Sequence, residues 1–393
     1  MTAKINRLSL RVRDLKPSET LGITAKAKEL KARGIDVVNL GAGEPDFPTP
    51  ENVKAAAIKA IEENFTYYTP APGIWELREA VAEKLRKFNN LSYEPGEICI
   101  SCGAKQSIYN SLQALLDPGD EVLIPVPYWV SYPAQVSLAG GFPRFIPTGD
   151  DYKLAPEVLE ESITDKTKAL ILNYPSNPSG VTYKAEELKK IADAVLPYDL
   201  IVISDEVYEY FTYDGIRHVS FASISDEAYR RTVTISALSK TYSMTGWRIG
   251  YSASPMEMAE AISRIQSHTT SNPTSIAQKA ALEALKGSQK YVSEMVKAFD
   301  ERRRFVLERL REIEGLECVK PEGAFYVFPE ISGFEISSSE FSSRLLEEGF
   351  VATIPGEAFG SPRNFRISYS ASMADLVEGM DRIEKFCSWL GKR

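Results

Sequence analysis

The chain has 393 residues, of which 44% are hydrophobic and 25% charged, an ordinary globular composition. A net charge of −8 argues against wrapping nucleic acid and suits a protein that handles small metabolites. No apolar run approaches the roughly 18–20 residues of a membrane span, and the opening MTAKINRLSLRVRDLKPSET lacks the apolar stretch of a secretory signal, so a cytoplasmic protein without a membrane or nucleic-acid partner is expected.

A single core usually stops growing below this length, so two domains are expected. ITAKAKELKARG (23–34) reads as a helix closed by a glycine, and DVVNL then leads into the loop GAGEPDFPTPE. PENVKAAAIKAIEE and WELREAVAEKLRKF are helical in pattern. From about residue 73, strands and helices alternate. The strand EICIS is followed by helical KQSIYNSLQALL, the strand EVLIP by helical WVSYPAQVSLA, and the strand GFPRFIP by TKALILNY, DLIVISDEVY and RTVTISA. Short β-branched runs between helices imply an α/β domain whose mostly parallel sheet is covered on both faces. After about residue 285 the texture changes. A charged helical stretch from Gln289 to Glu314 precedes GAFYVFP, FVATIP and NFRISYS, the pieces of a smaller α+β domain. The expected division is 1–45 packing with the small domain, 46–285 as the large domain and 286–393 as the small one.

Cys99 and Cys102 form a CxxC, but both fall in a strand-like run into a glycine turn. With four cysteines and two histidines in all, no metal site is expected.

Ligands bind at the carboxyl ends of parallel strands. In that position lie CGAKQ, PYWVSY, NYPSNPSG, DEVY and SALSK. Lys240 follows an apolar strand among Ser, Thr, Tyr and Leu. A lysine is ordinarily a solvated charge, but a desolvated one has a lowered pKa and can form a Schiff base. Asp205, at the end of LIVISD, is either a pairing carboxylate or an acid aimed into the cleft. With Tyr208 it would offer an anion and a phenol to one ligand, the contacts that make pyridoxal phosphate an electron sink. Gly103-Ala104-Lys105 joins a strand to a helix, where free backbone N–H groups suit a phosphate, and Arg248 could add a charged contact. Trp129 is a stacking surface or a half-buried core residue. Asn177 sits in a proline-rich turn. Arg366 lies within an alternating strand, and if it points inward it needs a carboxylate.

Together these residues resemble the class I aminotransferases, fold-type I pyridoxal-phosphate enzymes. The resemblance rests on AGEPDF (42–47), YYTPAPG (67–73), GAKQ (103–106), PYWVSYP (127–133), NYPSNPSG (173–180), SDEVY (204–208) and SKTYSMTGWRIGY (239–251), in the family's order over nearly the whole chain. It implies a mixed, mostly parallel seven-stranded sheet flanked by helices and a small α+β domain built from both chain ends. It implies pyridoxal 5'-phosphate bound to Lys240, with Lys240 also carrying the substrate's α-proton. Asp205 would face the ring nitrogen and Tyr208 the ring oxygen. Arg248, Ser239 and the turn at Gly103, Ala104 and Lys105 would hold the phosphate, and Trp129 would stack on the ring. Asn177, Gly43 and Arg366 would meet the ring oxygen and the substrate α-carboxylate. Tyr68 would reach the active site of a neighbouring subunit, making a homodimer.

Two departures from the family pattern stand out. Ala237 occupies a position where Ser or Gly is common, with Ser236 and Ser239 nearby, and the usual NNPTG reads SNPSG. The chain is most similar to the bacterial and archaeal aspartate aminotransferase subgroup. That similarity implicates Lys105, and with it Lys16, in reading a distal carboxylate. It implies transfer of the amino group of L-aspartate to 2-oxoglutarate. Aromatic amino acids or prephenate, a lyase on the same scaffold and a non-catalytic regulator are the alternatives. A nicotinamide-binding protein is disfavoured because GAGEPD lacks the third glycine and continues into proline.

Overall fold

A computed structural model of the chain describes residues 9–13, 15 and 19–391, so Lys16 lies outside the described residues. The six expected strands and one more form a seven-stranded sheet of β2 (Ile98–Ser101), β3 (Glu121–Pro125), β4 (Phe142–Ile146), β5 (Thr167–Asn173), β6 (Ile201–Asp205), β7 (Thr232–Ala237) and β8 (Gly250–Ala253), after a short β1 (Val38–Asn39). The order is β2-β8-β7-β6-β5-β3-β4. Strands β3 to β7 run parallel, while β8 is antiparallel to both β2 and β7.

Pattern reading had not isolated β8. Its four residues, GYSA, are mostly small and give little β-branched signal. Its position is nonetheless decisive, because Gly250 pairs with Ser101 on one side and Ala237 on the other. The helix expected from Trp129 begins only at Tyr132, behind a turn.

Helices cover both faces of the sheet, so β2, β7 and β8 are buried throughout. Beyond residue 285, a helix at Lys290–Glu312 packs near an antiparallel sheet of β9 (Tyr326–Val327), β11 (Ile354–Pro355) and β12 (Phe365–Ser368). Strand β10 (Val351–Ala352) pairs in parallel with β1, which joins the two ends of the chain. Among the described residues, no helix is long and apolar enough to cross a membrane. All four cysteines are free, and burial raises the Cys99 thiol to about 12, in keeping with a strand residue.

One charged group ties the long helix to the segment that follows β6. Arg303, whose side chain is 1% exposed, donates to both carboxylate oxygens of Asp214 at 3.0 and 2.9 Å and to Asp300 at 2.9 and 2.6 Å. It also reaches the Pro321 carbonyl at 2.9 Å and lies 4.7 Å from the Tyr213 ring centre. Water can reach the carboxylates once the guanidinium is gone, since Asp214 and Asp300 are 34% and 20% exposed, so Arg303→Ala should destabilise the protein by about 1–3 kcal/mol, read as a lower urea midpoint. An unchanged midpoint would show that the pair is energetically neutral.

Candidate functional site

The strand ends converge on a cavity of about 390 Å³. Its floor follows from sheet register. Asn173 at the end of β5 lies beside Asp205 at the end of β6, and Asp205 lies beside Ile235 of β7. Two residues past Ile235, β7 ends at Ala237 and a single helical turn, Leu238–Thr241, presents Lys240.

Lys240 is half-buried, and its Nζ donates to the Gly43 carbonyl. Burial lowers its pKa to about 8. Arg366, Arg248 and Lys105 push the same way, and Glu44 opposes them. Asp205 is 4% exposed and accepts a 2.6 Å hydrogen bond from the Tyr132 hydroxyl. Burial raises it to about 6, against the hydrogen bonds from Tyr132 and the Val207 N–H. A half-buried amine and a buried carboxyl are thus each driven toward neutrality by the same loss of water. Tyr208 shares a 2.8 Å hydrogen bond with Tyr326, and burial, followed by Tyr326, raises its pKa well above the usual phenol value.

On the other side, Gly103 opens the helix Ala104–Leu115 with φ +83. A Cβ at Gly103 would stand 2.5 Å from Arg248 Nη2, so only glycine lets the guanidinium lie against this turn. Arg248 donates to the Thr245 carbonyl at 2.8 Å and the Cys102 carbonyl at 3.2 Å. The helix start, its free N–H groups and a guanidinium together make an anion seat. Lys105 stands 4.9 Å from the Trp129 ring centre, and its pKa is lowered by burial and then by Arg248.

Arg366, on β12, is 3% exposed. It donates to Asn177 Oδ1 at 2.8 Å and to the Gly41 carbonyl at 2.7 Å, and it lies 4.4 Å from the Tyr326 ring centre. Its Nε is buried without a hydrogen-bond partner among the described residues.

One cavity therefore gathers Gly43, Ala104, Lys105, Trp129, Asn177, Asp205, Tyr208, Ser239, Lys240, Arg248 and Arg366, with Gly103 at its edge. Tyr68 is not brought in; it is 90% exposed and lies away from the cavity. The two serines beside Ala237 part company. Ser236 points to the far side of the strand and donates to Glu209 at 2.7 Å, whereas Ser239 lines the cavity. Sequence reading missed Tyr132, Asn173, Glu44, Thr245 and Tyr326. Tyr132 follows Trp129 by three residues, a helical spacing that was the only available hint.

Beneath the site lies a buried polar network. Among the described residues, Glu206, Glu209 and His218 are the one group spaced to hold a metal. Their oxygens already have partners. Lys84 stands 2.5 Å from Glu209, while Ser204, Ser220 and His218 stand 2.8, 2.5 and 2.8 Å from Glu206.

Fold and site together define a pyridoxal-phosphate-dependent aminotransferase. The family described as "Aminotransferase class I and II" matches residues 35–383. The chain is 48% identical over 388 residues to the aspartate aminotransferase of Bacillus subtilis (strain 168), covering 97% of this chain and 98% of that protein. It is 48% identical over 389 residues to the aspartate/prephenate aminotransferase of Cereibacter sphaeroides, covering 96% and 97%. Among solved structures, the aspartate aminotransferase from Rhizobium meliloti aligns with a TM-score of 0.94 at 42% identity, over 97% of this chain and 99% of that one. This chain belongs to the class I and II aminotransferase family, and it resembles bacterial aspartate aminotransferases throughout its length. The family's cofactor is pyridoxal phosphate, and the residues present fit it. A glycine turn that a Cβ would fill faces a guanidinium, and a half-buried amine of lowered pKa shares the cavity with a buried carboxyl.

The raised pKa of Asp205 has a measurable cost in the cofactor-free protein. Between its ordinary value of 3.8 and about 6, the folded chain keeps a proton that the unfolded chain has lost, so stability falls as pH rises through that window. Asp205→Asn removes the charge and should stabilise the cofactor-free protein at pH 8 by about 3 kcal/mol, with the gain fading toward pH 4. Thermal melts across pH test this, and parallel curves for the two proteins would refute the burial argument.

Proposed function

We propose that the protein moves the amino group of L-aspartate to 2-oxoglutarate, giving oxaloacetate and L-glutamate. The observation that carries this reading is the pair of cations sharing the cavity with Lys240. Arg366 is buried with a free Nε, and Lys105 stands against Trp129. A substrate with two carboxylates and an amine answers that charge pattern.

When bound, pyridoxal phosphate supplies an aldehyde to take the amino group and a ring that draws electrons from the α-carbon. Lys240 Nζ is the attachment point. Its amine, with a pKa near 8, is neutral often enough to take the α-proton and give it back. Asp205, oriented by Tyr132, would keep a proton on the ring nitrogen. Tyr208 and Asn177 would meet the ring oxygen, and Trp129 would stack on the ring. Arg248, Ser239 and the Gly103–Lys105 turn would hold the phosphate. Arg366, Asn177 and Gly43 hold the α-carboxylate, and Lys105 reads the distal one. The amino group stays on the enzyme between substrates, so the kinetics are ping-pong.

In this reading the working unit is a cytoplasmic homodimer. Tyr67 and Tyr68, 81% and 90% exposed in the single chain, form an aromatic surface suited to a second copy, with Tyr68 reaching the neighbouring phosphate. Residues 46–285 form the cofactor-binding domain, and the described residues from 286 onward, packed with the described residues before 46, form the smaller one. Aromatic amino acids or prephenate are the second reading, supported by the ring surfaces of Trp129 and Tyr326 in the cavity and by the aspartate/prephenate relatives.

The purified protein should show the visible absorbance of a lysine-bound cofactor and transaminate aspartate with 2-oxoglutarate. Lys240→Ala should lose both. Aspartate that releases ammonia or pyruvate without yielding glutamate would mean a lyase. Lys105→Met should lower kcat/KM for aspartate about tenfold or more while sparing phenylalanine. An equal loss on both donors would remove Lys105 from distal recognition.

A further inference from the structure

Every charged side chain in the cavity has a role in that reading except one. The lining holds four cations, Lys105, Lys240, Arg248 and Arg366, and two carboxylates, Asp205 and Glu44. Asp205 is buried and bonded to Tyr132. Glu44 is exposed at the mouth, and among the described residues its carboxylate accepts one hydrogen bond, from Thr245 Oγ1 to Oε2 at 2.9 Å.

The backbone around Glu44 is held from both sides. Arg366 donates to the Gly41 carbonyl and Lys240 to the Gly43 carbonyl. Ser370 donates to the Glu44 carbonyl at 2.8 Å, and Arg302 grips Asp46 at 2.7 and 2.9 Å. Lys240 rests on the residue preceding Glu44, and both side chains line the same cavity, so this carboxylate faces the space in which substrate exchange takes place. Its charge is the one that opposes the loss of a proton from Lys240.

Amino donors and oxo-acid acceptors bring the same carboxylates to this cavity. They differ in one charge, the α-ammonium, and no group assigned so far answers it. We propose that Glu44 is a specificity residue for the amino half of the reaction, pairing with the α-ammonium of the arriving amino acid and holding it beside Lys240. The oxo acid gains nothing from this contact, so Glu44 separates the two ligand classes that alternate in one pocket. The inference rests on the aminotransferase reading above.

The test uses holoenzyme in which borohydride has reduced the Lys240–cofactor bond, so that ligands bind without reacting. Calorimetry compares L-aspartate with succinate, its counterpart lacking the amine. Glu44→Gln keeps an acceptor for Thr245 and removes the charge. It should weaken aspartate about threefold and leave succinate unchanged, as expected for one exposed ion pair. In the unreduced enzyme, the same variant should lower kcat/KM of the amino half-reaction and spare the oxo half-reaction. Equal weakening of both ligands would make Glu44 a loop tether and overturn the proposal, as would no change in either. Thr245→Val, which frees the loop but keeps the charge, should not reproduce the split; if it does, the charge is not the cause. Failure of the function reading would look different, because wild-type enzyme would then not transaminate aspartate at all. The comparison would in that case be made with whichever amino acid it does use, against that donor's deaminated analogue.

Discussion

The site depends on the placement of one short antiparallel strand. β8 enters the sheet between β2 and β7, and its first residue, Gly250, is paired to both. A Cβ on Gly250 would stand 2.4 Å from the Ala104 nitrogen, so the strand can lie this close to the 103–105 turn only with glycine there. Arg248, two residues earlier, is thereby held at that turn, and Ala237 on the other flank starts the segment bearing Lys240. The anion seat and the lysine come from distant parts of the chain, and a single backbone pairing sets the spacing between them.

Burial then sets the chemistry. The same exclusion of water lowers the pKa of Lys240 and raises that of Asp205. Neither shift needs an exotic partner, and both are costs borne by the cofactor-free fold. The network of Glu206, Glu209, Lys84, His218 and Ser236 beneath pairs its carboxylates with neighbouring donors, so the charges under this floor are compensated locally.

Much of this was legible in the sequence. EVLIP gave its strand with both ends correct, because a β-branched run between turn residues has few other readings. The gathering of Lys240, Asp205 and Asn177 followed from one rule about strand ends, while Arg248 comes in from the segment before β8. What was not legible depended on pairing across long separations. β8 carries too little apolar signal to announce itself. Tyr132 and Tyr326 look like core aromatics until the fold sets them against Asp205 and Tyr208. The fates of Ser236 and Ser239 turn on which face of a strand each occupies, a question composition does not answer. Glu44 sat in a motif that had been used only for its glycine.

The carbonyl contacts of the cavity cations have one more implication. Three of the four rest on backbone oxygens, Arg366 on Gly41, Lys240 on Gly43, and Arg248 on Thr245 and Cys102. These neutral dipoles act as placeholders for the anions the pocket is shaped to receive. They let four cations share a lining that holds only two carboxylates, Asp205 and Glu44. A neutral oxygen is also a weaker partner than a carboxylate or phosphate, so each placeholder yields readily when the real ligand comes.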